Sequence, residues 1–274
     1  MTKLSDATFI IPLRIDSADR VRNIITTVGF LLETFDSKVI IKEVDSQPLF
    51  SEYALPQIAE YVEDKIDNLT HVFEKSDDPV FYRMQIINEM LAMVSTDIVF
   101  NYDSDVLLHV ETYEKAAQMI RDGCDIVYPY GFGNYQKQVN VNDEDVSEFL
   151  NELDFSILDA KSNISDAQYG HVQVLSTKSY FNAGMENENF KGSSPEDKER
   201  FYRFNTLGYN IGRIDEFVYH LEHSRGANSW PVSAQKNPYM PNNFSVWEEI
   251  QKMNKEELEE YYSSQNYLKK YGVN

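Results

Sequence analysis

Three groups of residues in this sequence have the types and spacing to do chemistry. The first is the pair Asp103 and Asp105, which follows the apolar run Ile98-Val99-Phe100-Asn101-Tyr102 with only Ser104 between the two acids. Along an extended chain residues i and i+2 point the same way, so both carboxylates are expected to project from the end of a buried strand. At that spacing they repel unless a cation or a shared proton lies between them. Hard oxygen donors of this kind suit magnesium or manganese held against phosphate oxygens. The second group is His220-Leu221-Glu222-His223, followed by Ser224-Arg225-Gly226. This segment reads as strand entering loop, where i and i+3 face opposite ways, so both imidazoles can serve one metal only if the chain turns between them. The third is Glu196-Asp197 at a helix start. Acids in a first turn stabilise the helix dipole by roughly 0.3–1 kcal/mol, which accounts for them without chemistry. The alternative is that one of them is a general base taking a proton from a hydroxyl.

The elements that must position these groups are legible from apolar periodicity. Thr8–Leu13 reads as a buried strand with Pro12 near its end, where a ladder donor can be spared. Asp16 or Ser17 can cap a helix carrying Val21, Ile24, Ile25, Val28 and Leu31 on one face. Val39–Ile41 is a second strand closed by Glu43-Val44-Asp45, and Thr70–Phe73 a weaker one. A helix from about Tyr82 to Met93 leads to the strand Asp97–Tyr102, and another from Glu111 to Arg121 leads to the strand Asp125–Tyr130. Alternation of this kind predicts a mostly parallel sheet with helices on both faces, whose ligands bind outside the carboxyl ends of the strands. Arg14, Glu43, Asp45 and the aspartate pair all fall at that edge. Residues 131–166, rich in Asn, Asp, Gln and Ser with one helical patch near Val146–Leu158, read as an insertion or mobile flap. Order returns at Val172–Leu175. Ser193 or Ser194 is expected to cap a helix with Pro195 in its first turn, ending near Gly208. Short strands at Ile211–Ile214 and Phe217–His220 follow, then a helical tail at Phe244–Lys252 and Glu256–Lys270. No repeat or linker divides the chain, so one domain is expected.

The 274 residues carry 45 acidic and 25 basic side chains, a net charge of −20. That balance argues against general nucleic-acid binding and against docking by charge to an anionic membrane. It leaves room for one phosphate-bearing ligand, because a metal and a few arginines reverse the field locally. The single cysteine, Cys124, allows no internal disulfide and suits a buried structural position, which favours a cytoplasmic setting. The N-terminus is polar and no apolar run approaches the roughly 18 residues of a spanning helix, although peripheral contact with a membrane is compatible with the sequence.

Taken together, the segments resemble a glycosyltransferase of the GT-A fold. The pattern is similar to that of the inverting β-1,4-galactosyltransferase group and of bacterial chondroitin-type and family 2 transferases. Ile10-Ile11-Pro12-Leu13-Arg14 resembles the first-strand nucleotide segment, and Phe81-Tyr82-Arg83 the Phe-x-Arg that supports uracil and diphosphate. Asp103-Ser104-Asp105 resembles the Asp-x-Asp motif. Gly192-Ser193-Ser194-Pro195-Glu196-Asp197 resembles the acceptor and base segment, and His220-x-x-His223-Ser224-Arg225 the closing metal motif. The resemblance implies Asp105, His220 and His223 as metal ligands, with His220 standing where the galactosyltransferases carry methionine. It implies Asp197 as the catalytic base, with Glu196 orienting hydroxyls of donor or acceptor. Pro12, Arg14, Phe81, Arg83, Asp103, Ser104 and Arg225, with Glu43 at the sheet edge, make the expected donor-binding set.

Two departures bear on specificity. The family's Gly-Trp-Gly before Glu-Asp is Gly192-Ser193-Ser194 here, so the sugar platform is missing or supplied by another aromatic such as Tyr128, Tyr130 or Phe190. The turn Gly184–Gly192 is also one residue longer than in the galactosyltransferases. The expected activity is metal-dependent inverting transfer of a hexose or N-acetylhexosamine from a UDP-sugar to a saccharide or glycoconjugate, as in polysaccharide biosynthesis. Manganese is the expected ion, with magnesium as the alternative. Residues 1–108 would form a nucleotide-binding half, 109–226 an acceptor and catalytic half, and 227–274 a helical extension. Two other classes stay open. A sugar-phosphate nucleotidyltransferase would carry a Gly-rich basic loop after the first strand, whereas Arg14-Ile15-Asp16-Ser17-Ala18 has no glycine. A non-catalytic sugar-nucleotide-binding module would tolerate the missing tryptophan.

Overall fold

The computed structural model describes residues 3–192, 194–229 and 231–272. Its first half follows the apolar periodicity closely. Strand β1 (Ala7–Leu13) is wholly buried, and α1 (Ala18–Thr34) begins at Ser17, whose side chain accepts from the Arg20 N–H. Then come β2 (Lys38–Asp45), α2 (Leu55–Val62), β3 (Leu69–Lys75), α3 (Arg83–Leu91) and β4 (Ile98–Tyr102). The helix α2 has no counterpart in the sequence expectations. Beyond the aspartate pair lie β5 (Val106–Leu107), α4 (Val110–Arg121) and β6 (Ile126–Tyr128), the last shorter at both ends than expected.

Residues 131–166 are not a flap. They form β7 (Gly133–Val139), α5 (Asp143–Glu152), α6 (Phe155–Asp159) and β8 (Ser162–Ala167). Asn142 and Asp145 close a reciprocal capping box on α5, so the polar residues that suggested mobility are partly helix-start chemistry. Next come β9 (Val172–Ser176), α7 (Thr177–Asn182), α8 (Glu196–Leu207), β10 (Ile211–Arg213) and β11 (Val218–Leu221). The residue preceding α8 is Pro195 and no side chain caps that helix, so Ser194 does not act as the expected cap; Ser193 lies outside the described residues. The tail is α9 (Ser233–Lys236), α10 (Met240–Ile250) and α11 (Lys255–Ser263), the last starting at a second capping box made by Asn254 and Glu257. A 3-10 turn, Asn266–Tyr271, follows α11 where a continuous helix was expected.

Seven strands form the central sheet in the order β10-β6-β9-β4-β1-β2-β3, with helices packed around it. All neighbours run parallel except β9, which is antiparallel to both β4 and β6. The central strands β1 and β4 are fully buried and apolar, as a strand covered on both faces requires, while the edge strand β3 is half-exposed. A second sheet, β5-β11-β7-β8, stands beside the first. Its β5 starts directly after Asp105 and pairs antiparallel with β11, placing His220 opposite Val106. Among the described residues no helix is long and apolar enough to cross a membrane.

Candidate functional site

The aspartate pair sits in a turn held by tyrosines. β4 ends at Tyr102, whose hydroxyl donates to the Val106 carbonyl at 2.8 Å, while the Leu108 N–H donates to the Tyr113 hydroxyl at 3.1 Å. Residues 103–105 therefore leave the extended conformation, and the two carboxylates are not stacked on one strand face as alternation predicts. They take different partners. Arg83 donates to Asp103 Oδ1 at 2.6 Å, whereas Asp105 faces the two histidines. The Leu221 N–H donates to the Asp105 carbonyl at 2.8 Å, so the β5–β11 ladder itself sets Asp105 beside His220. The chain leaves strand conformation after Leu221, which lets His223 return to the same point.

His220 Nε2 is 3.8 Å from Asp105 Oδ1, and His223 Nε2 is 3.2 Å from Asp105 Oδ2. The three side chains offer donor atoms within 4.8 Å of one another and are all buried. Their second contacts orient them. His223 Nδ1 lies 2.8 Å from the Ser224 carbonyl, an acceptor only, so Nδ1 carries the proton and Nε2 is the nitrogen turned to Asp105. His220 Nδ1 is 3.1 Å from Glu222, which is itself gripped by both contacts from Arg225 Nη2 at 3.1 Å. Burial opposes charge on Asp105, but His220, His223 and Arg20 outweigh it and hold the carboxylate far below its ordinary pKa. Burial likewise opposes charge on His220, yet Asp105 and Glu222 raise its pKa. Glu222 is lowered to about 2, against its burial, by His220 and Arg225.

Across the cleft, α8 presents Glu196 and Asp197. Glu196 is 5% exposed and its Oε2 has no hydrogen-bond partner. Burial first, then the neighbouring Asp197, push its pKa up to about 8, with Arg83 pulling the other way. Asp197 receives Arg200 Nη1 at 2.9 Å. Arg200 is fully buried and also binds Glu186 through Nε (2.7 Å) and Nη2 (3.0 Å), and Gln173 through Nη1 (3.0 Å). One turn on, buried Arg203 pairs with Glu199 at 2.9 Å, and the Tyr262 hydroxyl of α11 donates to Glu199 at 2.5 Å. The polar tail thus braces the rear of α8 while its front carries the two acids.

Pro12, Arg14, Phe81, Arg83, Asp103, Ser104, Asp105, Glu196, Asp197, His220, His223 and Arg225 line one cleft, which encloses about 1030 Å³ including its open mouth. Arg14 donates to the carbonyls of Val44 (2.9 Å) and Asp78 (3.0 Å) and stands 5.3 Å over the Phe81 ring. Its Nη2 is buried without a partner, and among the described residues no carboxylate pairs with it. Glu43 is elsewhere. It is fully buried, accepting from the Phe50 N–H at 2.9 Å and contacting His71 Nε2 at 3.0 Å, so it ties β2 to its neighbours and does not reach the cleft. Tyr128, Tyr130 and Phe190 are likewise interior, at 0%, 0% and 1% exposure, and offer no surface to a sugar. Phe201, one turn along α8 from Asp197, and Tyr169 are partly exposed rings whose centroids lie 4.6 Å apart. Cys124 is partly buried, and burial with Asp125 and Asp122 raises its thiol, which disfavours the thiolate. Arg20 and Ser229 also line the cleft; neither belongs to a motif singled out in the sequence, although Ser229 follows Arg225 by only four residues.

No protein-family model matches the chain, and no curated protein matches it. Solved structures do. The mannosyltransferase PcManGT from Pyrobaculum calidifontis, solved with GDP-Man and Mn2+, superposes with a TM-score of 0.56 at 13% identity, over 96% of this chain and 69% of that one. GalNAc-T7, solved with UDP, GalNAc and Mn2+, gives a TM-score of 0.57 at 11% identity over 89% of this chain and 49% of that one. A Drosophila β-1,4-galactosyltransferase 7 variant, solved with manganese, UDP-Gal and xylobiose, gives 0.47 at 13% identity over 81% and 72%. The mixed sheet, the helices around it and the first two superpositions agree: this chain has the GT-A fold.

Proposed function

We propose that the chain is a metal-dependent inverting glycosyltransferase that moves a hexose or N-acetylhexosamine from a UDP-sugar to a hydroxyl of a saccharide or glycoconjugate. The observation that carries this reading is the convergence of Asp105, His220 and His223 on one point, facing two acids across a single cleft. A divalent ion held by those three residues would supply neutralisation of the diphosphate leaving group. The donor set fits such an ion, because three buried ligand atoms lie together and the contact of His223 Nδ1 with the Ser224 carbonyl leaves Nε2 as the nitrogen facing them. Two imidazoles turn the preference toward manganese and away from magnesium, which favours oxygen and water ligands.

The remaining roles follow from what each side chain has free. Arg14 has an unpartnered nitrogen and, among the described residues, no carboxylate partner, which suits a phosphate oxygen; Phe81 and Pro12 in the same cleft would meet the base. Arg225, beside His223 and Glu222, would add positive charge at the metal end of the cleft. Arg83 fixes Asp103 so that one carboxylate oxygen stays available to a donor hydroxyl, and Ser104 spaces the two acids. Arg200 holds one oxygen of Asp197 and leaves the other to take the acceptor proton during in-line attack. Glu196, neutral at pH 7 by its burial, can donate a hydrogen bond to a substrate oxygen. On this reading residues 1–108 bind nucleotide, 109–226 meet the acceptor, and 227–274 stiffen α8.

The test is a panel of nucleotide sugars screened for manganese-dependent thermal stabilisation, followed by release of UDP with and without saccharide acceptors. Asp105→Asn is expected to abolish turnover, and Asp197→Asn to abolish it while donor binding survives. Stabilisation by no UDP-sugar would remove the proposal, and release of pyrophosphate from UTP and a sugar phosphate would replace it with nucleotidyl transfer.

A further inference from the structure

Arg20 is the cleft cation to which the reading above gives no task. It lies in the first turn of α1 and is held at three points. Nε pairs with Asp16 Oδ1 at 3.0 Å, Nη2 donates to Ser229 Oγ at 2.7 Å, and Nη1 stands 3.6 Å from Asp105 Oδ2. That Oδ2 is the oxygen turned toward His223. A fixed positive charge therefore already compensates the carboxylate around which an ion would bind. A guanidinium cannot lose its proton to make way for a metal. Arg20 and Asp105 side chains are only 17% and 8% exposed, so the repulsion between this guanidinium and an incoming dication is weakly screened.

A diphosphate reverses the balance. Its oxygens match the guanidinium fork and attract it away from Asp105, while the same anion attracts the ion. Arg225 also stands by the site, its Nη1 3.5 Å from His223 Nε2, but among the described residues Arg20 is the arginine paired with the Asp105 carboxylate. Arg225 is engaged by Glu222, Arg83 by Asp103, and Arg14 lies against Phe81 and the backbone of residues 44 and 78.

We propose that Arg20 couples the two ligands: it keeps the Asp105–His220–His223 site at low metal affinity until a nucleoside diphosphate draws its guanidinium away, so that ion and diphosphate bind as a pair. This rests on the metal site of the proposed function. Coupling of this kind is reciprocal, so each ligand strengthens the other by the same factor.

The experiment is calorimetric titration of the full chain with Mn2+ alone, with UDP alone, and with Mn2+ at saturating UDP, for the wild type, Arg20→Gln and Arg20→Lys. Far-UV and near-UV circular dichroism in EDTA checks that each variant is folded. Arg20→Gln is expected to bind Mn2+ alone about fivefold tighter, to bind UDP alone more weakly, and to show a coupling factor reduced about fivefold or more. Arg20→Lys keeps the charge and should keep the weak wild-type affinity for Mn2+ alone. Unchanged or weaker Mn2+ binding in Arg20→Gln overturns the inference, as does equal tightening in Arg20→Lys. Asp105→Asn separates the two levels: if it binds Mn2+ as the wild type does, the metal site itself is wrong, whatever Arg20 does.

Discussion

Replacing Glu196 by Gln should make the protein more stable in alkali, and the size of the effect follows from the burial of one carboxyl. In the folded chain Glu196 is 5% exposed, has an unpartnered oxygen and adjoins Asp197, which together hold its proton up to a pH of about 8. In the unfolded chain the same group titrates near 4.5. Between those values the folded state keeps a proton that the unfolded state has lost, so the stability this group contributes is complete below pH 4.5 and declines as pH rises through 8. At 1.36 kcal/mol per pH unit that window sets a ceiling of roughly 5 kcal/mol. Glutamine has the shape and neutrality of the protonated acid and no proton to lose. The stability difference between Glu196→Gln and the wild type should therefore be small at pH 5.5 and grow by about 2–4 kcal/mol at pH 8.5. Urea unfolding in EDTA at the two pH values, with slopes compared to check two-state behaviour, measures it. A difference that changes by less than about 1 kcal/mol across that range refutes the claim that burial holds this proton.

Other perturbations probe other parts. Arg203→Ala leaves Glu199 buried beside Tyr262 without its cation and should cost about 3–5 kcal/mol in chemical denaturation, whereas the Glu199→Gln, Arg203→Met double variant should recover only part of that loss, because the Ala183 and Met185 carbonyls still lack the Arg203 donor. A Cβ at Gly170 would lie 3.2 Å from Asp197 Oδ2, so Gly170→Ala should lower turnover about tenfold or more with little change in melting temperature. If Mn2+ binds the folded chain at Asp105, His220 and His223, an excess of about 100 times its Kd should add about 2.7 kcal/mol of stability, reversed by EDTA and absent in His223→Ala. Equal stabilisation of that variant by Mn2+ would place the ion elsewhere.

The sequence carried the first half of the fold almost completely. Long apolar runs and helix caps such as Ser17 mark elements wherever the local signal and the tertiary demand agree. The Asp-x-Asp pair stood out for the same reason, since it breaks a buried strand. What was not legible depends on pairing between distant segments. His220 and His223 read as a pattern, but their convergence rests on β5, a strand of two residues with no periodicity to detect. Glu43 looked like an edge ligand because it ends a strand, and only the positions of Phe50 and His71 reveal a structural carboxylate. The segment 131–166 looked mobile because its outer strand, β8, is largely solvated and so needs few apolar residues. Arg20 offered no local signal at all.

The short ladder between β5 and β11 has a consequence for how the molecule comes together. It brings Asp105, near the first third of the chain, against His220 and His223 near its last fifth, across a long intervening loop whose closure costs entropy before any contact repays it. An ion shared by those residues would act as a removable staple between early and late parts of the chain. It would then resist pulling or proteolysis of the second sheet more than it resists opening of β1–β4, and its release would loosen the protein from one side only.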